Sequence, residues 1–192
     1  IIDAGNTKAI AMSAPNRSAL SYKDLRNHCD QIGKQLASQG LSNSDRVAIV
    51  LPNGPEMASA FLAVASYMSA APLNPTYKKS EYAFYLEDLK PGLVIVEENS
   101  PNPVRSAASD LSIPVVEAKV KSGSPAGAFE LFQSEADIQP SNLDHEALVL
   151  HTSGTTSRPK VVPLLQRNIL ASTRNISASL ELTATDHCLN IM

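Results

Sequence analysis

Apolar residues recur along the chain in two alternating patterns. The first lies between Ser21, a typical helix N-cap, and Gly40, a typical helix stop. Its apolar positions are spaced by four, three and four residues, as on one face of a helix: Leu25, Cys29, Ile32 and Leu36. The second is a short, continuous apolar run rich in β-branched residues, 46–51, which ends at a proline. This pattern is typical of a strand buried on both faces of a parallel sheet.

The same alternation continues to the end of the chain. Further helices are predicted over 56–70, 79–89, 104–111 and 169–180, with Asn168 as the N-cap of the last. Further extended segments are predicted over 71–73, 93–96, 115–120 and 147–150, and another strand is predicted to start within 186–191. Alternating helices and strands favour an α/β fold with a mainly parallel sheet flanked by helices. In such sheets ligands bind at the carboxyl ends of the strands.

Composition limits the function classes. With 192 residues, 43% hydrophobic and 18% charged, the chain can bury one sizeable core as a domain or as part of one. A net charge of −3 offers no basic face, so no nucleic-acid partner is expected. The longest uncharged stretch, 57–77, contains serines and prolines and falls short of the about 20 apolar residues of a membrane span. No secretory signal pattern opens the chain, and the first residue, Ile1, leads us to expect that the native start is missing.

The chain has two cysteines, each next to a histidine: His28 with Cys29, and His187 with Cys188. Adjacent residues point in different directions, and the pairs are far apart in the sequence, so we expect no metal site there. Two cysteines also cannot make a disulfide framework. We therefore predict buried or half-buried thiols in a reducing compartment.

Residues 151–161 read HTSGTTSRPKV, a turn crowded with hydroxyl groups beside a lysine. The spacing from Gly154 to Lys160 matches a Walker phosphate loop, G-x-x-x-x-G-K-[ST]. However, Pro159 stands where that loop needs a glycine, and Val161 stands where it needs a hydroxyl ligand for magnesium. Proline has no N–H for a phosphate and valine has no oxygen for a metal. The pattern therefore indicates a phosphate-binding loop of another design.

The loop closely resembles that of the acyl-adenylate-forming enzymes, [ST]-S-G-[ST]-T-G-x-P-K-G, over residues 152–160. Two weaker marks of this family precede it, LSYKDL at 20–25 and AAPLNP at 70–75, so the resemblance spans nearly the whole chain. Three positions depart from the family pattern: Ser157 and Val161 replace glycines, and Gln166 replaces a common histidine. The SRPK variant, with AAPLNPTYKKSEY and FYLEDLKP, is most similar to the oxalate-CoA ligase branch.

This resemblance implies an N-terminal part of the family's large domain, with a first α/β part at 1–146 and the phosphate loop and following helix at 147–192. The family's small C-terminal domain is expected to be absent from these residues, so the chain is expected to be a fragment, inactive by itself. The implied activity is ATP-dependent adenylation of a small-molecule carboxylate, followed by thioester formation with CoA, with Mg²⁺ on the phosphates. The implied phosphate-binding residues are Thr152, Ser153, Gly154, Thr155, Thr156, Ser157 and Lys160, with Lys160 stabilising phosphate charge; no protein ligand to the metal is assigned.

Two other functions stay open at this point: a P-loop-like NTPase or kinase-type phosphate binder, and a non-catalytic remnant. His151 either contacts substrate or nucleotide, or is a packed residue that ends a strand. Lys78 and Lys79 are expected in solvent, and the pair Glu97 and Glu98 is interpreted as a polar strand exit. The expected location is intracellular, cytoplasmic or peroxisomal.

Overall fold

The protein, a computed structural model, is described over residues 7–152 and 159–190. In these residues the strands are β1 (Ile10–Met12), β2 (Leu20–Ser21), β3 (Arg46–Val50), β4 (Ser69–Pro72), β5 (Leu93–Glu97), β6 (Val115–Ala118), β7 (Glu146–Thr152) and β8 (Lys160–Leu165). The helices are α1 (Tyr22–Ala37), α2 (Pro55–Tyr67), α3 (Lys79–Leu89), α4 (Val104–Asp110) and α5 (Gln166–Ser179).

Six of the strands form one sheet in the order β6-β5-β3-β4-β7-β8. The first five in this order are parallel to their neighbours, and β8 pairs antiparallel with β7 at the edge. β1 and β2 form a separate two-stranded antiparallel sheet. This architecture confirms the predicted α/β class with a mainly parallel sheet.

The central strands bury alternate side chains on two faces, which divides the core into two clusters. Val47 and Ile49 of β3 lie in the cluster that contains α1 and α2. Ala48 and Val50 lie in the cluster that contains α3 and α4. Because side chains of a strand alternate between faces, an unbroken apolar run requires helices on both sides, and here it has them.

Helix α1 begins at the predicted cap, because the Oγ of Ser21 accepts a hydrogen bond of 3.1 Å from the Asp24 N–H.

The α1–α2 contact depends on a close approach at Gly33. A Cβ atom at Gly33 would lie 2.5 Å from Cδ2 of Tyr67 on α2. Tyr67 in turn donates its hydroxyl proton to Asp30, so the ring is held against α1.

A long connection, residues 119–145, carries the chain from β6 at one edge to β7 beyond β4. It passes along α1 and α2, where Phe129 and Leu131 are buried in the core. The buried side chain of Gln35 accepts the Leu131 N–H at 3.1 Å, and the Ser141 N–H donates to the Ser66 carbonyl at 2.8 Å. The connection has little regular secondary structure, but buried side chains and hydrogen bonds hold it against α1 and α2.

The two cysteines lie in different environments. Cys29 is buried, and burial, followed by the charge of Asp30, raises its pKa to about 12. Beside it, burial lowers the pKa of His28 to about 4 against the opposing charge of Glu56. Cys188 is exposed, so the prediction of buried or half-buried thiols is wrong for this residue.

The predicted helix 56–70 is wrong at its end, since α2 stops at Tyr67. Ser69 and Ala70 belong to β4, where Ala70 pairs with Val47 of β3 and Leu148 of β7. Alanine favours a helix locally, but pairing in the middle of the sheet decides its conformation.

The C-terminal predictions also need correction. α5 begins at Gln166, and Asn168 is not its N-cap; the Oδ1 of Asn168 instead accepts the Leu165 N–H at 2.9 Å. β8 was not predicted; it contains Pro163, which is tolerated because β8 lies at the edge of the sheet. The strand predicted to start within 186–191 is not found over its described residues, 186–190, where Leu189 is exposed. Within the described ranges, no helix is both long and apolar enough to cross a membrane.

Candidate phosphate-binding site

The described ends of the hydroxyl-rich segment lie at the carboxyl end of β7. Thr152 is the last residue of β7 and Lys160 is the first of β8, and the two face each other in the antiparallel register. Both are exposed to solvent. A threonine hydroxyl and a lysine ammonium are thereby brought together at the carboxyl ends of the strands, where α/β proteins bind their ligands.

Five of the predicted site residues lie outside the described residues: Ser153, Gly154, Thr155, Thr156 and Ser157. Their part in phosphate binding stays a prediction.

The element that follows the loop differs from a Walker arrangement. In a P-loop the lysine opens a helix directly after the phosphate loop. Here Lys160 opens strand β8, and the next helix begins only at Gln166. The strand–loop–strand order therefore argues against a P-loop NTPase, in agreement with Pro159 and Val161 at the positions that a Walker loop reserves for glycine and a hydroxyl residue.

His151, directly before Thr152, is a packed and hydrogen-bonded residue. Its side chain is 7% exposed. Its Nε2 lies 3.0 Å from Oδ2 of Asp88 on α3, and its ring meets the ring of Tyr85 edge-on at 4.7 Å between centroids. The interpretation of His151 as a packed strand-end residue is confirmed.

Tyr85 belongs to an aromatic cluster that sequence reasoning missed. It stacks on Tyr77 at 5.0 Å, and Tyr77 meets Tyr82 edge-on at 5.8 Å. The hydrogen bond with Tyr85, together with burial, raises the pKa of Tyr77 to about 12, so the phenol stays neutral. The hint in the sequence was composition, since three of the five tyrosines of the chain fall within 77–85.

A shallow cavity of about 290 Å³ lies between α3 and the start of β8. Its lining comprises Ser80, Glu81, Phe84 and Tyr85 of α3 together with Pro159. Strands β7 and β8 form an antiparallel hairpin. Pro159 directly precedes Lys160, the first residue of β8, so α3 borders β8 as well as β7.

A second cavity, of about 500 Å³, lies at the opposite, amino end of the strands, around Arg46 and Glu146. Nε and Nη2 of Arg46 donate to the two carboxylate oxygens of Glu146 at 2.7 and 3.0 Å, and the Ser69 hydroxyl adds a third bond at 2.7 Å. Burial disfavours the charge of Glu146, but the bonds from Arg46 and Ser69 outweigh it and lower the pKa of this carboxyl. This pair joins β3 to β7 far from Thr152, and we interpret it as structural.

The remaining candidates behave as surface residues. Lys78 and Lys79 are exposed, and Lys79 pairs with Asp110 at 2.6 Å. Glu97 and Glu98 are also exposed, as predicted for a polar strand exit.

The fold and the hairpin define an α/β protein with a candidate phosphate site at the carboxyl edge of its sheet. The sequence profile of the AMP-binding enzyme family matches residues 3–192, and the chain belongs to that family. It is 34% identical to oxalate-CoA ligase of Arabidopsis thaliana over 189 residues, which cover 95% of this chain and 37% of that protein. It is 33% identical to oxalate-CoA ligase of Saccharomyces cerevisiae over 175 residues, 77% of this chain and 32% of that protein.

The fold is also that of solved adenylate-forming enzymes. The ATP-bound crystal structure of MatB from Rhodopseudomonas palustris superposes with a TM-score of 0.76 at 24% identity, covering 96% of this chain and 38% of MatB. The complex of o-succinylbenzoate CoA synthetase from Bacillus subtilis with AMP gives a TM-score of 0.71 at 23% identity, covering 92% and 44%. The chain thus spans about a third of the length of the curated relatives it matches.

Proposed function

We propose that the full-length protein carrying this chain is an ATP-dependent carboxylate-CoA ligase. The carboxylate oxygen attacks the α-phosphorus of ATP and releases pyrophosphate, and the CoA thiol then attacks the acyl-adenylate to give the thioester and AMP. The observation that carries the proposal is the pairing of Thr152 with Lys160 at the carboxyl edge of the sheet, in a chain of the AMP-binding family.

In this mechanism the hairpin acts by electrostatics. Lys160 contributes a cation to the β and γ phosphates, and the hydroxyls of Thr152, Ser153, Thr155, Thr156 and Ser157 donate hydrogen bonds. Gly154 permits close approach of the backbone to the phosphates. Charge grows on the departing pyrophosphate in the transition state, so donors placed there lower the barrier.

Magnesium is expected with the nucleotide. Over residues 7–152 and 159–190, no group of three or more His, Cys, Asp or Glu side chains is placed to hold a metal ion. We therefore assign no step to a metal held by these residues, and Mg²⁺ enters the proposal as the counter-ion of the phosphates.

The first test compares products. Adenylation yields AMP and pyrophosphate, whereas an NTPase or kinase yields ADP. Chromatography of nucleotides after incubation of the full-length protein with ATP, CoA and a carboxylate should show AMP. ADP as the sole product would contradict the ligase proposal.

For the acyl substrate we propose a short dicarboxylate, with oxalate favoured over fatty acids. The similarity to two oxalate-CoA ligases, from a plant and a yeast, supports this choice. Steady-state assays with oxalate, malonate, acetate and a long-chain acid measure the preference. A higher kcat/KM for the long-chain acid would refute it.

Lys160→Ala should lower the rate of ATP–pyrophosphate exchange on the order of 10²-fold, because one charge that stabilises the transition state is lost. Lys23→Ala is the matched control, since Lys23 is an exposed lysine on α1 in the first turn. Exchange by Lys160→Ala at the rate of the control would remove the lysine from the site. That residues 1–192 do not catalyse by themselves stays a prediction, which the same assay on this chain tests.

A further inference from the structure

Helix α3 borders both strands that flank residues 153–158. On the β7 side, Asp88 hydrogen-bonds His151 at 3.0 Å and Tyr85 packs against the same ring. On the β8 side, Tyr85 and Pro159 line the same shallow cavity. The residues directly next to His151 and Pro159 are Thr152 and Lys160, the two described residues of the candidate site.

Helix α3 is itself fixed in the core by its buried side chains. Tyr82, Leu86 and Leu89 of α3 are at most 1% exposed, and the Tyr82 hydroxyl donates to the Asn74 carbonyl at 2.8 Å. By contrast, Thr152 and Lys160 are exposed, and β8 is an edge strand. A helix that is fixed in the core and contacts both strand ends can determine where Thr152 and Lys160 lie.

Resting on the proposed function, we propose that Asp88 and Tyr85 are positioning residues, which act through His151 to place Thr152 and Lys160 for the phosphates of ATP. The loop motif, residues 152–160, does not include Asp88 or Tyr85. Charge stabilisation depends steeply on geometry, and a displacement of about 1 Å in a supporting element is enough to cost up to about 10²-fold in rate.

The geometry favours positioning over direct chemistry for His151. Its side chain is almost fully buried and its Nε2 is engaged by a carboxylate. A general base needs a ring nitrogen within hydrogen-bond reach of the substrate. A ring held between Asp88 and Tyr85 instead fixes the end of β7.

The test begins with Asp88→Ala in the full-length protein. The Asp88 side chain is 41% exposed, so its truncation leaves the core intact. We expect KM for ATP in pyrophosphate exchange to rise about tenfold, with the melting temperature unchanged. Thioester formation from preformed acyl-adenylate and CoA, which needs no triphosphate, should keep its rate. Glu87→Ala, the neighbouring exposed carboxylate on the same helix, is the matched control and should change neither half-reaction.

Two further readouts separate positioning from a general loss of structure. His151→Phe should reproduce the rise in KM, and the double variant with Asp88→Ala should be no worse than either single variant, since the residues act as a pair. Amide hydrogen exchange should quicken at the ends of β7 and β8 in Asp88→Ala, while the amides of β3 stay protected.

Unchanged KM and unchanged amide exchange in Asp88→Ala would overturn the proposal, as would an equal loss in both half-reactions. If the wild-type protein shows no pyrophosphate exchange with any carboxylate, the proposed function fails. Amide exchange then decides the positioning role by itself: faster exchange confined to the hairpin supports it, and unchanged exchange overturns it.

Discussion

The two halves of the sheet are held in place by different balances of apolar burial and polar contacts. Strands β3 to β6 lie between helices on both faces, and in β3 and β5 nearly every side chain is buried. The hairpin of β7 and β8 is followed by α5, in which no residue is buried. In this second half Ala147 and Val149 of β7 are buried. Polar contacts add to this burial: Arg46 with Glu146 at one end, Asp88 with His151 at the other, and the amide of Gln166 with the carbonyl of Ala65 on α2.

This difference indicates a division of labour. Apolar burial supplies most of the folding free energy, so the enclosed half should tolerate little change. The hairpin carries the candidate site and depends on directional contacts, which determine position more than stability. Measurements that separate stability from position should therefore separate the two halves.

The largest expected effect is in the enclosed half. Ile49→Ala should lower the free energy of unfolding by about 4 kcal/mol, because Ile49 is fully buried and its truncation leaves a cavity. Urea denaturation followed by circular dichroism measures the change. Ile176→Ala on α5, where the side chain is 53% exposed, should change it by less than about 0.5 kcal/mol. Equal losses of unfolding free energy in the two variants would contradict the proposed difference between the two halves of the sheet.

The next effect concerns pH in the enclosed half. His28 is buried against Phe129, with its rings 4.8 Å apart, and its buried Nε2 lacks a hydrogen-bond partner within the described part of the chain. Its folded pKa of about 4 lies below the ordinary value of 6.5, so below pH 6.5 the unfolded chain binds a proton that the folded chain refuses. The free energy of unfolding should therefore decrease as the pH is lowered from 6.5, by up to about 3 kcal/mol near pH 4.

Urea denaturation at pH 7, 5.5 and 4.5 measures this dependence. His28→Phe should remove most of the slope, because the group that takes up the proton in the unfolded chain is gone. His187→Gln, at an exposed histidine, is the control and should keep the slope of the wild type. An unchanged slope in His28→Phe would assign the acid sensitivity to other groups.

A smaller effect on stability is expected at the Arg46–Glu146 ion pair, which connects the two halves. Arg46→Ala leaves the half-buried Glu146 without its bidentate partner and should cost about 2 kcal/mol. Arg167→Ala removes an exposed ion pair with Asp144 and should cost less than about 1 kcal/mol. Both are read from urea midpoints at pH 7, where Glu146, with its lowered pKa, is ionised. A cost for Arg46→Ala no larger than that for Arg167→Ala would show that the two halves are not held together by this pair.

Prediction from sequence succeeded where burial shapes the pattern of residues. The apolar runs of β3 and β5 and the bounds of α3 were read correctly, since strands buried on both faces leave an unbroken apolar run and cores impose a regular spacing. It failed where pairing with another strand decides the structure against local preference, as at Ala70 in β4 and Pro163 in β8. At the candidate site, the loop motif identified Thr152 and Lys160, but Asp88 and Tyr85 come from a helix more than 60 positions earlier along the chain. Contacts of that kind leave no local pattern.

The strand order also has a consequence for the path of folding. β3, β4 and β5 are neighbours in space and nearly so in sequence, whereas β7 must reach β4 after the long connection 119–145. Contacts between distant segments form late, because the entropy of closing the intervening loop must be overcome first. As the chain leaves the ribosome, we expect β3 to β6 to assemble with their helices while the hairpin is still being synthesised. The residues of the candidate site would then dock after β3 to β6, onto a sheet that has already formed.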